Sequence, residues 1–118
     1  ETYNAEWLTA YVNVPTKFYI HLMNLTSCLI GNSSSGIREG AFIGTPTVNI
    51  GTRQKSRIRG ENVVDVSYNS DEIQQAIERQ ITNGKYPQSQ IYGEGKAGEK
   101  IVSLLEKHTP PLQKQISY

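Results

Sequence analysis

The sequence predicts an α/β protein in which helices flank a parallel β-sheet. One strand-like run, Cys28 to Ile30, is short and apolar without alternation, as in parallel strands that are buried on both faces. Helical patterns separate the strand-like runs along the chain, and such alternation requires crossover connections that make the strands parallel. The length of 118 residues, of which 36% are hydrophobic, fits about one domain with its own core.

The first third of the chain predicts a strand, a helix and a second strand. A strand is expected from Leu8 to Val14, because this run is apolar and β-branched and is followed by Pro15. A mostly buried helix is expected over 16–24, with Thr16 as its cap. Its apolar residues at helical spacing are Phe18, Leu22 and Leu25. Cys28 to Ile30 then predicts a buried strand that ends at Gly31.

The middle of the chain predicts two further strands around a polar loop. A short helix is expected from about Ser35 to Gly44, with Gly44 as its C-terminal stop. Strands are expected over Thr47 to Ile50 and Asn62 to Val66, and Gly51 to Gly60 forms a basic loop between them.

Two helices complete the predicted domain. The first begins at a cap formed by Asn69 or Ser70 and ends at Asn83 and Gly84. Its expected apolar face comprises Ile73, Ala76, Ile77 and Ile81. The last helix ends near His108 and places Ala97, Ile101, Leu104 and Leu105 on one face. The predicted domain therefore spans residues 1–108, and residues 109–118 form a polar tail.

Composition excludes several classes of protein. Twelve basic residues against 11 acidic ones give a net charge of +1, so no global field favours nucleic acid or a membrane surface. No run approaches the ~20 apolar residues of a membrane span. Cys28 is the single cysteine, which excludes an internal disulfide. Without a secretory leader, a cytoplasmic location is expected. Because the chain starts at Glu1 with a short polar stretch, it is expected to be a piece of a longer protein.

A serine-rich turn, GNSSSG from Gly31 to Gly36, is a candidate phosphate site. We call it the serine loop. It follows a strand end, where parallel sheets bind ligands, and offers hydroxyl and backbone N–H groups at a helix start. An ordinary Ser cap with glycines for turning is the alternative. Glu39 lies about one helical turn later, where it is either a ribose ligand or a solvated helix residue.

A second candidate is the basic loop, GTRQKSRIRG from Gly51 to Gly60. It holds Arg53, Lys55, Arg57 and Arg59. Arginine suits phosphate or carboxylate, although a solvated loop is the commoner outcome of such runs. The aromatic residues typical of single-strand nucleic-acid binders do not interleave it.

Other patterns lack the context that their chemistry needs. Gly93, Gly95 and Gly98 spell GxGxxG without an apolar strand ahead, so they predict a loop into the last helix. No Ser-His-Asp set can be assembled from His21 and His108, and burial is expected for His21. These histidines and Cys28 also lack metal-ligand spacing.

The stretch from Gly31 to Val66 closely resembles the UDP-N-acetylglucosamine 2-epimerases, especially the hydrolysing branch that feeds sialic-acid-type sugar synthesis. It couples GNSSSGIRE to GTPTVNIGTRQ and then RGENV at that family's spacing. The later segment YGEGKAGEKIVSLL, Tyr92 to Leu105, resembles the family's closing segment. The non-hydrolysing branch usually has a Ser-Gly-Gly loop and lacks the GTRQ run, which favours the hydrolysing branch.

This resemblance implies a fold and a set of site residues. The family has two Rossmann-like domains across a cleft, the GT-B-type architecture, and the chain resembles the C-terminal half. Carried over by position, Ser33 and Ser34 would bind the UDP phosphates and Glu39 the ribose hydroxyls. Arg53 would bind the nucleotide, and Val14, at a strand end, would offer backbone contacts to uracil.

The resemblance also implies what the chain lacks. The family's acid and base groups come mostly from the N-terminal domain and the segment just before this one, so no catalytic residue, metal or cofactor is expected here. The expected partners are UDP or a UDP-sugar and an N-terminal domain, and a homo-oligomer is compatible with the sequence. A glycosyltransferase donor domain and a stand-alone nucleotide- or anion-binding module remain alternatives, and the exact sugar stays open.

Overall fold

A three-stranded parallel sheet organises the part of the chain that the computed structural model describes, residues 5–108. Its strands are β1 (Leu29–Gly31), β2 (Thr47–Ile50) and β3 (Val63–Val66), in that spatial order. The register pairs Gly31 with Asn49, and Asn49 with Asp65. The predicted α/β class with a parallel sheet flanked by helices, a Rossmann-like arrangement, is therefore confirmed. The predicted tail, 109–118, lies outside the described residues.

Five helices accompany the sheet in this described part. They are α1 (Thr16–Leu25), α2 (Ser34–Ile37), α3 (Glu39–Ile43), α4 (Ser70–Asn83) and α5 (Ala97–Lys107). Helix α4 packs on β2 and β3, α2 packs on β2, and α1 packs on α3. The predicted cap of α4 is confirmed, because Asn69 Oδ1 accepts hydrogen bonds from the N–H groups of Asp71 and Glu72.

The core combines few apolar side chains with buried polar ones. Its apolar members are Met23, Ile37, Ala41, Val48 and Ala76. Gln80, fully buried on α4, donates through Nε2 to the carbonyls of Thr47 and Asn62 at 2.8 and 2.9 Å. Its Oε1 accepts from the Tyr86 hydroxyl at 2.7 Å. The Gln80 amide therefore joins α4 to β2 and to the residue that precedes β3.

The predicted strand from Leu8 to Val14 is wrong. These residues form no strand in the structure, and most of them are exposed, with Val12 fully so. A strand requires a neighbour that accepts its backbone hydrogen bonds, and no described segment pairs with this one. The apolar, β-branched composition favours a strand, but among the described residues no strand pairs with this segment.

Helix α1 has the predicted position but not the predicted burial. Met23 is its one buried residue, and the apolar residues Phe18, Leu22 and Leu25 are exposed. His21 is exposed as well, contrary to expectation. Thr16 is not the cap: Pro15 occupies that position, and no side-chain hydrogen bond caps the helix. The single helical stripe that faces α3 buries too little of the circumference to cover the other apolar residues.

The helix predicted from Ser35 to Gly44 is divided at Arg38 into α2 and α3. The carbonyl of Gly36 accepts hydrogen bonds from Thr47 Oγ1 at 3.3 Å and Asn62 Nδ2 at 3.0 Å. In an unbroken helix this carbonyl would serve the N–H of Gly40, so the two side chains compete with helix continuation. The predicted stop is confirmed, since Gly44 has a φ of +78°.

The two remaining apolar faces are less buried than predicted. On α4, Ala76 is buried while Ile81 is exposed, and Gln80 takes the buried place beside it. Helix α5 has no buried residue. No helix among residues 5–108 combines the length and apolar character that crossing a membrane would demand.

Candidate functional site

The serine loop leaves the carboxyl end of β1 and enters α2. Gly31 ends the strand with a φ of +144°, a conformation that side chains other than glycine rarely adopt. Ser33 is the cap of α2, and its Oγ accepts from the N–H of Ser35 at 3.3 Å. Ser33 is exposed and Ser34 is half-buried, so both residues reach the protein surface.

A chain of hydroxyl groups supports the serine loop from α1. The Tyr19 hydroxyl lies 2.8 Å from Ser35 Oγ, which lies 2.9 Å from Ser33 Oγ. Tyr19 and Ser35 are both half-buried, whereas Ser33 is exposed. The exposed Ser33 hydroxyl is therefore held by Ser35, which is held in turn by Tyr19, 16 residues earlier in the chain. Sequence reasoning missed Tyr19, because helical spacing says nothing about which turn of a later loop a side chain will reach.

The basic loop docks on the serine loop through Asn32. The Nε2 of Gln54 donates to the Asn32 carbonyl at 2.9 Å, and Gln54 is only 4% exposed. The guanidinium of Arg53 donates through Nη1 to Asn32 Oδ1 at 3.4 Å. The structure thus brings Arg53 next to the loop that carries Ser33 and Ser34. The contacts made by Asn32 and Gln54 were not foreseen from the sequence.

The four cations of the basic loop have different environments. Arg53, Lys55 and Arg57 are exposed, as a solvated loop would have them. Arg59 is half-buried and forms a two-pronged ion pair with Asp65, in which Nε lies 2.9 Å from Oδ2 and Nη2 lies 3.0 Å from Oδ1. The hydrogen bonds from Arg59 lower the pKa of Asp65 below its ordinary value, and Asp65 in turn raises the pKa of Arg59.

Glu39 opens α3 and lines a cavity of about 270 Å³. The other residues around this cavity are Ile20, Arg38, Phe42, Ile43, Tyr92, Gly93 and Gly95. Gly93 and Gly95 belong to the loop before α5, as predicted, and Tyr92 donates its hydroxyl to the Ile58 carbonyl at 2.7 Å. Tyr92 therefore connects the Glu39 cavity to the basic loop. Glu39 follows the serine loop closely in the chain, but no hydrogen bond joins it to Ser33, Ser34 or Arg53.

Val14 lies apart from these residues. It is half-buried and lines a different cavity, which Tyr11, Pro15, Phe18, His21 and Leu22 share. Its expected place at the end of a strand is not found, since residues 8–14 form no strand. The structure therefore groups Ser33, Ser34 and Arg53 and keeps Glu39 in the adjoining helix, while Val14 lines a cavity that none of these residues lines.

Neither a metal centre nor a reactive thiol is suggested by the described residues. Residues 5–108 contain no group of three or more His, Cys, Asp or Glu side chains arranged to hold a metal ion. Partial burial raises the pKa of the Cys28 thiol, which opposes thiolate formation. What the site offers is hydroxyl, backbone N–H and guanidinium donors, a set that suits a phosphate-bearing ligand.

Comparison with known proteins identifies relatives across most of the chain. The family described as UDP-N-acetylglucosamine 2-epimerase matches residues 1–106. A UDP-N,N'-diacetylbacillosamine 2-epimerase (hydrolyzing) from Legionella pneumophila is 38% identical over 98 residues, which are 83% of this chain and 26% of that protein. A GDP/UDP-N,N'-diacetylbacillosamine 2-epimerase (hydrolyzing) from Campylobacter jejuni is 41% identical over 76 residues, 64% of this chain and 19% of the relative.

A further relative carries the family's own name. The UDP-N-acetylglucosamine 2-epimerase of Neisseria meningitidis is 28% identical over 93 residues, 79% of this chain and 25% of that protein. The chain spans about a quarter or less of the length of these curated relatives. The match nevertheless covers both candidate loops and the whole sheet, and on this basis the chain belongs to the UDP-N-acetylglucosamine 2-epimerase family.

Proposed function

We propose that this chain is the UDP-binding part of a hydrolysing 2-epimerase. The observation that carries the proposal is the docking of Arg53 and Gln54 on Asn32, which puts a guanidinium beside the serine loop. Both loops follow strands of a parallel sheet, where such folds bind their ligands. The names of the Legionella and Campylobacter relatives support a hydrolysing reaction on a nucleotide-linked amino sugar.

In this proposal each site residue has one role. Ser33, Ser34 and Arg53 bind the diphosphate, and Glu39 accepts hydrogen bonds from the ribose hydroxyls. Val14 contributes backbone contacts to uracil from the neighbouring segment before α1, where it lines a cavity of its own. Negative charge develops on the diphosphate as the sugar–oxygen bond breaks, so donors around it stabilise the leaving group.

The chemistry at the sugar is assigned to residues outside this chain. A second Rossmann-like domain of a GT-B-type pair would supply the acid and base groups, and the two domains would enclose the UDP-sugar. The products would be UDP and N-acetylmannosamine or a related sugar for sialic-acid-type synthesis, in the cytoplasm. On their own, residues 1–118 should release neither product from a UDP-sugar.

The proposal is tested by supplying UDP-N-acetylglucosamine, without any acceptor, to the natural protein that contains this chain. Release of N-acetylmannosamine together with UDP is expected, and a diacetylated bacillosamine derivative is tested in parallel because two relatives are named for it. Binding of the nucleotide with transfer only to an added acceptor would instead identify a glycosyltransferase. No binding of UDP at all would contradict the proposal.

Three variants of the same protein test the site. Ser34→Ala and Arg53→Ala each remove a hydrogen bond to a charged group, which is worth roughly 1.5 to 3 kcal/mol, or about 10- to 150-fold in the UDP dissociation constant. Arg79→Ala is the matched control, since Arg79 is an exposed arginine on α4. Unchanged UDP affinity with a lower melting temperature in Ser34→Ala would show that Ser34 only supports the helix start.

A further inference from the structure

Arg59 has almost no hydrogen-bonding capacity left for a ligand. Arginine carries five N–H donors. Two of those of Arg59 bind the Asp65 carboxylate, and Nη1 donates to the carbonyls of Gln54 and Arg57. Four of its five donors are therefore used within the protein. Arg53, in contrast, is exposed and makes one long hydrogen bond, to Asn32.

The carboxylate that holds Arg59 is itself fixed to the sheet. Asp65 belongs to β3 and is paired in register with Asn49 of β2. Asn49 is 1% exposed, and its Nδ2 donates to Asp65 Oδ1 at 2.5 Å. Asp65 thus presents one oxygen to Asn49 and Arg59 together and its other oxygen to Arg59. The ion pair is anchored in regular secondary structure at one end and in the basic loop at the other.

A continuous path of hydrogen bonds leads from this ion pair to the serine loop. Arg59 binds the carbonyl of Gln54, and the Gln54 side chain binds the carbonyl of Asn32. Gln54 is buried although residues on both sides of it in the loop are exposed. Loss of the bond from Arg59 would leave the Gln54 carbonyl without this donor, and Arg53 precedes Gln54 directly in the chain.

We propose that Arg59 and Asp65 are positioning residues, which hold the basic loop so that Arg53 faces the serine loop, and that neither touches the nucleotide. The inference rests on the proposed function of this site. It separates the cations of one loop into a ligand group, Arg53, and a structural group, Arg59, although both are arginines a few residues apart.

The direction in which Asp65→Ala changes UDP affinity distinguishes positioning of the loop from a purely electrostatic effect. If Asp65 affected UDP only through its charge, Asp65→Ala would remove a repulsive anion and release Arg59 to the phosphates, so binding would tighten. If Asp65 holds the loop, the same change weakens binding. Arg59→Lys gives an independent comparison, because lysine keeps the charge but has no planar fork with which to bind Asp65 and two carbonyls at once.

The experiment measures UDP affinity by titration calorimetry in the natural protein that contains this chain. Arg59→Ala, Arg59→Lys and Asp65→Ala should each weaken binding by about threefold or more, a coupling of the size that neighbouring residues in one network show. In an Arg53→Ala background, Arg59→Ala should have an effect of about twofold or less, since the positioned group is gone. Melting temperature and circular dichroism establish that each variant is folded.

Three results would overturn the inference. They are tighter UDP binding in Asp65→Ala, fully additive losses in the double variant, and unchanged affinity in Arg59→Ala. A protein that binds no UDP would instead contradict the proposed function, and the bracing of the loop then has its own measurement. Trypsin should cleave after the exposed Lys55 faster in Arg59→Ala and Asp65→Ala than in the unaltered protein, and an equal cleavage rate would refute the bracing itself.

Discussion

Removing one oxygen atom from Tyr19 tests whether the hydroxyl chain matters for nucleotide binding. In Tyr19→Phe the ring stays on α1, but the 2.8 Å contact to Ser35 is lost. Ser35 then loses its partner on α1, and its Oγ keeps only the 2.9 Å contact to Ser33 Oγ. With Ser35 less firmly held, the Ser33 hydroxyl should lose its preferred orientation. This matters for binding because Ser33, the cap of α2, is also a proposed phosphate ligand.

The magnitude follows from the kind of bond that is removed. A neutral intramolecular hydrogen bond contributes about 0.5 to 1.5 kcal/mol. If all of this orients Ser33, UDP binding weakens by roughly 2- to 13-fold, and the upper end applies only if the serine chain is disordered without Tyr19. The effect should be smaller than that of Arg53→Ala, which removes a charged donor.

The assay is calorimetric titration with UDP, paired with thermal unfolding. Tyr86→Phe is the matched control, because it also removes one part-buried tyrosine hydroxyl and its hydrogen bond, the 2.7 Å bond to Gln80. Tyr86 and Gln80 belong to neither candidate loop. Tyr86→Phe should lower the melting temperature and leave UDP affinity unchanged. If Tyr19→Phe binds UDP as tightly as the unaltered protein while losing stability, the hydroxyl chain serves folding alone and the reasoning fails.

Three further outcomes are expected. The pKa of Asp65 is lowered in the folded state, so its contribution to stability is present above its unfolded pKa of about 3.9 and is lost as the pH falls through the folded value. As the pH falls below about 5, the free energy of unfolding measured in urea should therefore decline less in Arg59→Ala than in the unaltered protein. The thiol of Cys28 should react with an alkylating reagent more slowly at pH 7.5 in the native state than in denaturant, since burial raises its pKa. Gly36→Ala should destabilise the protein by about 1 to 3 kcal/mol, because its Cβ would lie 2.6 Å from Thr47 Cγ2, whereas Gly98→Ala, which meets open space, should stabilise by about 0.4 to 1 kcal/mol. Equal stability of the two alanine variants in urea would contradict this account.

The elements that local chemistry dictates were predictable from the sequence. The cap at Asn69 and the stop at Gly44 appear as expected, since each depends on residues next to one another. The strand over Thr47–Ile50 also appears as expected, but its pairing partners β1 and β3 come from other segments. The break at Arg38 was not predictable in this way. It coincides with side chains of Thr47 and Asn62 taking a carbonyl of α2, and both come from later segments.

The candidate site shows the same division. The types of residue in the serine loop and the basic loop suggested an anion site, and the structure places Arg53 beside Asn32. Which arginine is available and which is committed to Asp65 could not be read from GTRQKSRIRG, because the answer depends on the register of β3. The predicted first strand failed for a related reason, since propensity does not supply a neighbouring strand.

The amide of Gln80 favours one alignment of α4 on the sheet over the others that apolar packing alone would allow. An apolar side chain at this position would be buried equally well if β2 and β3 slid past α4, whereas the amide is satisfied only where the carbonyls of Thr47 and Asn62 coincide. Those carbonyls lie 33 and 18 residues from Gln80 along the chain, so their bonds form only after the long loops close. We therefore expect the Gln80 hydrogen bonds to form late in folding. Gln80→Leu should then raise the unfolding rate more than it lowers the folding rate, and the two limbs of a denaturant chevron measure these rates separately.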